Sequence, residues 1–406
     1  MHEFKKPMSG IRVLELGRLV AAPLAGQILG DLGADVVKVE HPDGDEYRRY
    51  GPSFVHDLEG RQTDLSSGFI SNNRNKRSIT VDFSKEGGAN VVKSLAGRAD
   101  IFIENFKVGG LIKYGLGKDA LRKLYPDLIY LSVTGFGQDG PFADRPATDG
   151  AIQAMSGLQS LTGEPEGPPQ RVGVLVVDMM TGIYSALAAV AALRHRDNVG
   201  RGQHIDMALL DCAMASIATQ VAEYRLSGIP PHRQGNEQPG SVPAQSYRCQ
   251  DGHVQLQAAF DTHFARLCAC LGVPELAQDP RFADRRGRAD NKAALNEILV
   301  PEFERRSTKE IFDLLASSGV ICSPVSSVPT ALAIPQVVAR GLEMRFHTAG
   351  RPEIPHVASP LRFSEAAVTY DRPPPEIGEH TDEVLANWLD FEPAEIAALR
   401  ARNIVT

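Results

Sequence analysis

The chain has 406 residues, 43% hydrophobic and 23% charged, with 43 Lys and Arg against 50 Asp and Glu for a formal net charge of −7. That length allows more than one domain at the usual ~100–200 residues each, and the acidic balance gives no global field for neutralising phosphates, which argues against a nucleic-acid binder. Five cysteines (Cys212, Cys249, Cys268, Cys270 and Cys322) form neither a C-x-x-C pair nor a Cys/His zinc spacing, so reduced thiols and no metal site are expected.

The first ten residues lack the apolar core of a signal peptide, and the longest apolar run, within 183–193, falls short of the ~20 residues that span a bilayer. A cytoplasmic protein is expected. Residues 11–16 (IRVLEL) read as a strand, 22–32 as a helix ending at Gly33, and 35–40 as a second strand. This βαβ unit predicts an α/β fold with a parallel sheet and a right-handed crossover. The first turn reads GRLVAAPLAG in place of G-x-G-x-x-G, with Pro23 where the helix would open, so a nicotinamide or flavin dinucleotide is not expected.

Residues 46–67, rich in Gly, Arg and Asp, read as a surface loop. In 72–78, Arg74, Lys76 and Arg77 stand among amides before a strand at 78–82; such a patch either holds phosphates or is a solvated loop face. A helix at 88–95 and a strand at 101–104 follow. Asn105, Phe106, Lys107 and Lys113 then lie at or beyond that strand's carboxyl end, the edge where open α/β sheets bind ligands. A strand at 129–133 exits into TGFGQDGPFAD, whose glycines permit close backbone approach to a ligand on the same edge.

The stretch 171–211 sets one carboxylate, Asp178, between two apolar segments. Residues 172–177 read as a short buried strand or extended run and 179–193 as a helix buried on every face. At their junction Asp178 is either an N-cap that accepts the first N–H groups and gains from the helix dipole, or a catalytic carboxylate. The local pattern admits both. A helix over 209–226 then leads into a Gly/Pro/Asn-rich linker at 227–243, strands at 245–247 and 253–259, and helices at 264–271 and 292–305.

Eight segments in one order, LELGRLVAAPLAGQILGDLGADVVKVE, NKRSITVDF, ENFKVGGLIKYGL, LSVTGFGQDGP, VDMMTG, GRGQHIDMALLD, SSGVICSPV and GEHTDEVL, resemble the class III CoA-transferases of the formyl-CoA and carnitine-CoA transferase type. The resemblance runs from about residue 10 to the C-terminal region. It implies a Rossmann-like large domain built from both chain ends (1–224 and 331–406), a smaller central α+β domain (225–330) and an interlocked, ring-like homodimer. It implies acyl-CoA as substrate with no tightly bound cofactor, and it puts Asp178 at the position of the family's nucleophile; the charge, the short apolar runs and the cysteine spacing add the expectation of no nucleic acid, membrane or metal partner.

The same resemblance matches Arg18, Leu19, Val20 and Ala21 to a first CoA-contacting turn, from whose usual residues Arg18 and Val20 depart. It matches Lys76 and Arg77 to a phosphate-holding step, and Asn105, Phe106 and Lys113 to the adenosine and pantetheine pocket. His41 stands where a basic residue stacks near adenine. A flexible glycine loop is matched by 235–240 (GNEQPG), with Gly235, Gln238 and Gly240, where Glu237 or Gln238 would approach the acid. Two rivals share such a site. An α-methylacyl-CoA racemase would need a His where Thr148 stands, and Thr148 exchanges no proton near pH 7; a non-catalytic CoA binder would not need Asp178. Within the transferases, SLTGEPEGPPQRVGV and the GN-x-x-P loop look most like the branch using succinyl-CoA and a dicarboxylic acid such as glutarate. Arg49, Arg145 and Arg171 are then candidates for the acid's far carboxylate.

Overall fold

The structure is a computed structural model that describes residues 6–238, 240–348 and 350–406. Pro239, inside the predicted glycine loop, lies outside them. The chain forms two compact units. The first takes in the chain up to Leu158, Val172–Leu226 and Val338–Thr406; the second comprises Gln159–Arg171 and Ser227–Val337.

Six parallel strands organise the first unit: β1 (Arg12–Glu15), β2 (Asp35–Glu40), β3 (Lys76–Thr80), β4 (Ile101–Glu104), β5 (Ile129–Thr134) and β6 (His204–Ala208). Their spatial order is β3-β2-β1-β4-β5-β6, the doubly wound arrangement in which strand order reverses between β1 and β4 and opens a crevice at the carboxyl edge. Successive residues feed opposite cores. Val13, Val36 and Ile101 enter one cluster while Leu14, Val37 and Phe102 enter the other, which is why the strands read as continuous apolar runs. Strand β6 escaped the sequence reading because HIDMA carries charge and little alternation.

Helix α1 (Ala21–Asp31) connects β1 to β2, and α2 (Gly88–Ala96) connects β3 to β4. On the same side as α1 lie α3 (Asp149–Met155) and α4 (Val176–Val199), both contributing to its core cluster. At the α1–α4 crossing, a Cβ on Gly182 would stand 2.9 Å from both the Ala21 carbonyl oxygen and Leu24 Cβ. Only a glycine allows that approach.

Several elements differ from the expected pattern. No strand forms over 172–177: the Val172 N–H donates to Gln153 and those of Val177 and Asp178 to Asp149, so α4 starts at Val176. Helix α4 is buried on one face in this chain, through Val177, Thr181, Ser185 and Ala189, while Met179, Ile183 and Leu187 are 46%, 54% and 60% exposed. With 24 residues it is also, among the described residues, the one helix long and apolar enough to cross a membrane, a test that core helices of soluble proteins also pass. The supposed loop 46–67 contains a 3-10 turn (Glu46–Arg49) and a hairpin (Phe54–His56 with Gln62–Ser66). Val55 and Leu65 of that hairpin pack with Phe69, Ile70, Phe346 and Ile354, a cover supplied from distant sequence. The helix expected over 209–226 breaks at Ile217 into α5 (Leu209–Ser216) and α6 (Ala218–Ser227).

In the second unit, three antiparallel strands (Ile321–Pro324, His253–Gln257 and Ala244–Arg248, in that order) carry helices Asp261–Leu271, Lys292–Glu304 and Thr308–Ser317. Its core includes the Tyr247–Phe303 stack at 4.2 Å and the buried thiols of Cys268 and Cys322. Gln159–Arg171, expected in the large domain, falls in this unit, where the Gly235 N–H donates to the Gly163 carbonyl and Arg233 to that of Gly167.

Candidate active site

The turns that leave β1 and β4 meet at the crevice between those strands. The Arg18 N–H donates to Asn105 Oδ1 at 2.9 Å, and Asn105 Nδ2 donates back to the Arg18 carbonyl at 2.7 Å. This clasp brings side chains far apart in sequence onto one surface. The Arg18 guanidinium lies 4.9 Å over the Phe106 ring, Phe106 and Tyr114 both pack edge-on to Phe83, and Lys113 Nζ sits 4.7 Å over Tyr114. Leu19 adopts φ +66° and is 43% exposed. Val20 and Ala21 are buried, so this turn offers a ligand its backbone and the Arg18 and Leu19 side chains. His41, at the end of β2, is half-exposed and 3.2 Å from Asp43. Beyond β4 and β5 a cavity of about 320 Å³ is lined by Lys107, Ile112, Lys118 and Glu104. Burial pushes the Glu104 carboxyl up to about 7.

Lys76 and Arg77 are not part of that surface. The Lys76 ammonium is fully buried, 2.7 Å from Glu15 Oε2, and donates to the Pro23 carbonyl and Asn73. Arg77 is buried between Asp35 (2.5 Å) and Glu383 (2.9 Å). Both charges are already neutralised by carboxylates, so neither is free to hold a phosphate in this arrangement. Arg74 is likewise paired, with Asp31 at 2.6 Å. Their work is to brace the turn from beneath. Strands β1, β2 and β3 are adjacent, so Glu15, Lys38 and Lys76 meet across them; Lys38 donates to the Gly17 carbonyl at 2.6 Å, and Asp45 accepts the Leu19 N–H. Burial pushes Lys76 down to about 8, against the opposing pull of Glu15. Burial would raise Glu40, but two 2.7 Å bonds from Arg48 and the nearby Lys38 hold it at about 2.

Asp178 occupies the third position of α4, inside the first turn. Capping is done by Asp149, the first residue of α3, whose Oδ2 accepts the N–H groups of Val177 (2.8 Å) and Asp178 (3.1 Å). The cap reading of Asp178 is thereby excluded: a different carboxylate takes the N–H groups. Among the described residues no hydrogen bond reaches the Asp178 carboxylate. Burial, and after it the Asp149 charge, push its carboxyl up to about 7. A desolvated, unbonded carboxylate at a helix start is chemically a nucleophile or a base. Tyr47 interacts with it electrostatically, its phenol pushed up by burial and then by the Asp178 charge.

Neither Asp149 nor Tyr47 was found by sequence reasoning. In RPATDGA the question of proton exchange falls on Thr148, and a cap donated by another helix leaves no local spacing to read. Gly235, Gln238 and Gly240 belong to the second unit and are tied down within it. The Gln238 N–H donates to the Ala244 carbonyl, Gln257 donates to the Gln238 side chain, Arg285 donates to the Gly240 carbonyl, and Glu237 pairs with Lys292. Arg145 stacks 4.0 Å over Phe142 in the glycine-rich segment after β5, Arg49 donates to the Asp43 carbonyl, and Arg171 lies in the second unit.

A doubly wound parallel sheet with a clasped turn at its strand-order reversal, near a carboxylate that no hydrogen bond reaches among the described residues, defines an α/β protein with a ligand crevice at its carboxyl edge. Residues 8–381 match the model of CoA-transferase family III. The chain belongs to that family and is a CoA-transferase. It is 44% identical over 390 residues to the succinate–glutarate CoA-transferase of Agrobacterium fabrum, covering 96% of this chain and 97% of that protein. It is 36% identical over 403 residues to the human succinyl-CoA:glutarate CoA-transferase, covering 98% and 90%. Among solved structures, a CAIB/BAIF family protein from Brucella suis superposes with a TM-score of 0.86 at 42% identity, covering 94% of this chain and 99% of that one.

Proposed function

We propose that this enzyme moves CoA from succinyl-CoA to a dicarboxylic acid of glutarate type, with Asp178 as the nucleophile. The observation that carries the reading is the Asp178 carboxylate: partly buried, without a hydrogen-bond partner among the described residues, and relieved of capping by Asp149. The names of its relatives in two kingdoms supply the substrate pair. One Asp178 oxygen attacks the thioester carbonyl; the C–S bond breaks, CoA leaves as thiolate and a mixed anhydride forms. The thiolate then attacks the Asp178 carboxyl carbon, the donor acid departs as carboxylate and Asp178 carries CoA as a thioester. The acceptor carboxylate repeats both exchanges in reverse, so no step needs a large driving force.

On this reading Arg18, Leu19, Val20, Ala21, His41, Asn105, Phe106 and Lys113 contact CoA, with the cationic and aromatic surface around Arg18 taking its phosphates and adenine. Arg49 and Arg145 are the first-unit candidates for the acceptor's far carboxylate. The protein works in the cytoplasm as an interlocked homodimer whose protomers each contribute a large domain from both chain ends and a smaller central one. Asp178→Ala is expected to abolish CoA exchange while CoA binding and the melting temperature are retained. Full activity in that variant would overturn the mechanism, and a parent enzyme inert towards succinyl-CoA with every C4–C6 dicarboxylate would overturn the substrate pair.

A further inference from the structure

Asp149 is built more elaborately than a cap requires. It is 2% exposed. Its Oδ2 accepts two N–H groups from α4, while Oδ1 accepts from Gln153 Nε2 at 2.6 Å, and Gln153, itself fully buried, accepts the Val172 N–H at 2.8 Å. Three donors thus fix this carboxylate in the direction of the first turn of α4. A serine or asparagine would satisfy the same N–H groups, since those residues cap helices as well as aspartate does. What Asp or Glu adds is a second acceptor oxygen, which takes the Gln153 amide, and a negative charge; that charge is placed next to a second carboxylate, and among the described residues no cation forms an ion pair with either.

We propose that Asp149 is a positioning residue that favours the covalent states of the enzyme: it fixes the Asp178 backbone and makes the free Asp178 carboxylate less stable than its anhydride and CoA-thioester forms. The inference rests on the reading of Asp178 as the nucleophile. The physical argument is a difference between states. Free Asp178 is an anion in partly buried surroundings beside another anion, so it bears both a desolvation cost and a repulsion. Once its oxygen or its carboxyl carbon is bonded to an acyl group or to CoA sulfur, the charge has left with the departing thiolate or acid. Both costs then vanish, while the N–H bonds from Val177 and Asp178 to Asp149 are kept.

Only an interaction that differs between states shifts an equilibrium, and the Asp149 charge differs strongly in its effect on the two. The other neighbours of Asp178 offer no equivalent. Helix α1, which packs along α4, carries no charge before Asp31; β5 carries none; α5 offers Asp211, which is exposed, and β6 offers His204 and Asp206. From the 3-10 turn at 46–49, Tyr47 interacts electrostatically with Asp178, its phenol pushed up by burial and then by the Asp178 and Asp45 charges.

The test compares Asp149→Asn, which keeps a capping oxygen and removes the charge, with the parent full-length enzyme and with Asp149→Glu. Each is mixed with limiting succinyl-CoA, acid-quenched, digested and analysed by mass for CoA on the Asp178 peptide; kcat/KM is measured against pH in parallel. In Asp149→Asn the adducted fraction at equilibrium is expected to fall about tenfold, and the acid limb of kcat/KM to move down by about one pH unit; the melting temperature is expected to drop by the loss of the Gln153 bond, which by itself moves neither the adduct level nor the pH limb. Asp149→Glu is expected to restore the higher limb. An Asn variant with parental adduct level and parental pH limb, whatever its turnover, would reduce Asp149 to a structural cap and overturn the proposal. Absence of any adduct in the parent enzyme would instead overturn the nucleophile reading itself, and the inference with it.

Discussion

Asp178 carries opposite consequences for stability and for catalysis. A carboxyl whose folded pKa is raised from 3.8 to about 7 keeps its proton where the unfolded chain has already lost one. The folded state therefore loses stability as pH rises from about 4 through 7, and the loss is complete above that range. Asp178→Asn removes the titration. Its denaturation midpoint should match the parent near pH 4 and exceed it at pH 8 by on the order of 1 kcal/mol, a value discounted for partial solvent contact. A parent and variant that differ equally at both pH values would contradict the raised pKa. In catalysis the sign reverses. The attacking species is the carboxylate, so kcat/KM for succinyl-CoA should fall about tenfold per unit as pH drops below about 7. The same desolvation that weakens the fold makes the anion reactive, the exchange of stability for function that active sites commonly show.

At the scale of elements, the site depends on how closely α4 lies against α1. Helix α1 starts in the turn at residues 17–20, and α4 starts beside Asp178, so their crossing sets where the two halves of the site stand. Gly182 permits that crossing. Gly182→Val would drive a side chain into the Ala21 carbonyl and Leu24, and should cost about 1–3 kcal/mol of stability. Because the displaced backbone is that of the Arg18–Ala21 turn, KM for acyl-CoA should rise as well. Gly173, with open space around its Cα and no left-handed φ, is the control: Gly173→Ala should change neither quantity. The same scale explains Lys76 and Arg77. A reading along the chain sees basic residues before a strand and cannot know which strand will lie beside it. Adjacent β1 and β2 supply Glu15 and Asp35, and those carboxylates turn two supposed ligand contacts into internal braces.

Over the whole molecule, the outward face of α4 is the feature that one chain leaves unexplained. Met179, Ile183, Leu187 and Val190 recur at helical spacing and are all exposed. The proposed homodimer would account for it if the second copy covered this stripe, since fully burying such side chains contributes about 1.5–3 kcal/mol each. If the proposed homodimer uses this stripe, the parent should have a dimer's solution mass by light scattering, and Leu187→Arg should shift it towards monomer or yield insoluble protein. A soluble variant with the parental dimer mass would remove α4 from the interface.

The sequence by itself determined the alternation of strand and helix, the edge on which Asn105, Phe106 and the glycine-rich segment emerge, and the singular setting of Asp178. Those follow from periodicity and from short apolar runs, which are local properties of a chain. The ordered motifs added the family. Only the tertiary structure decided that Lys76 and Arg77 face inward, that residues 159–171 join the second unit, and that Asp149 caps α4 so that Asp178 need not. Each of these rests on a charge or an N–H group meeting a partner about 30 to 300 positions away, and pairings at that range are set by which strands and helices become neighbours.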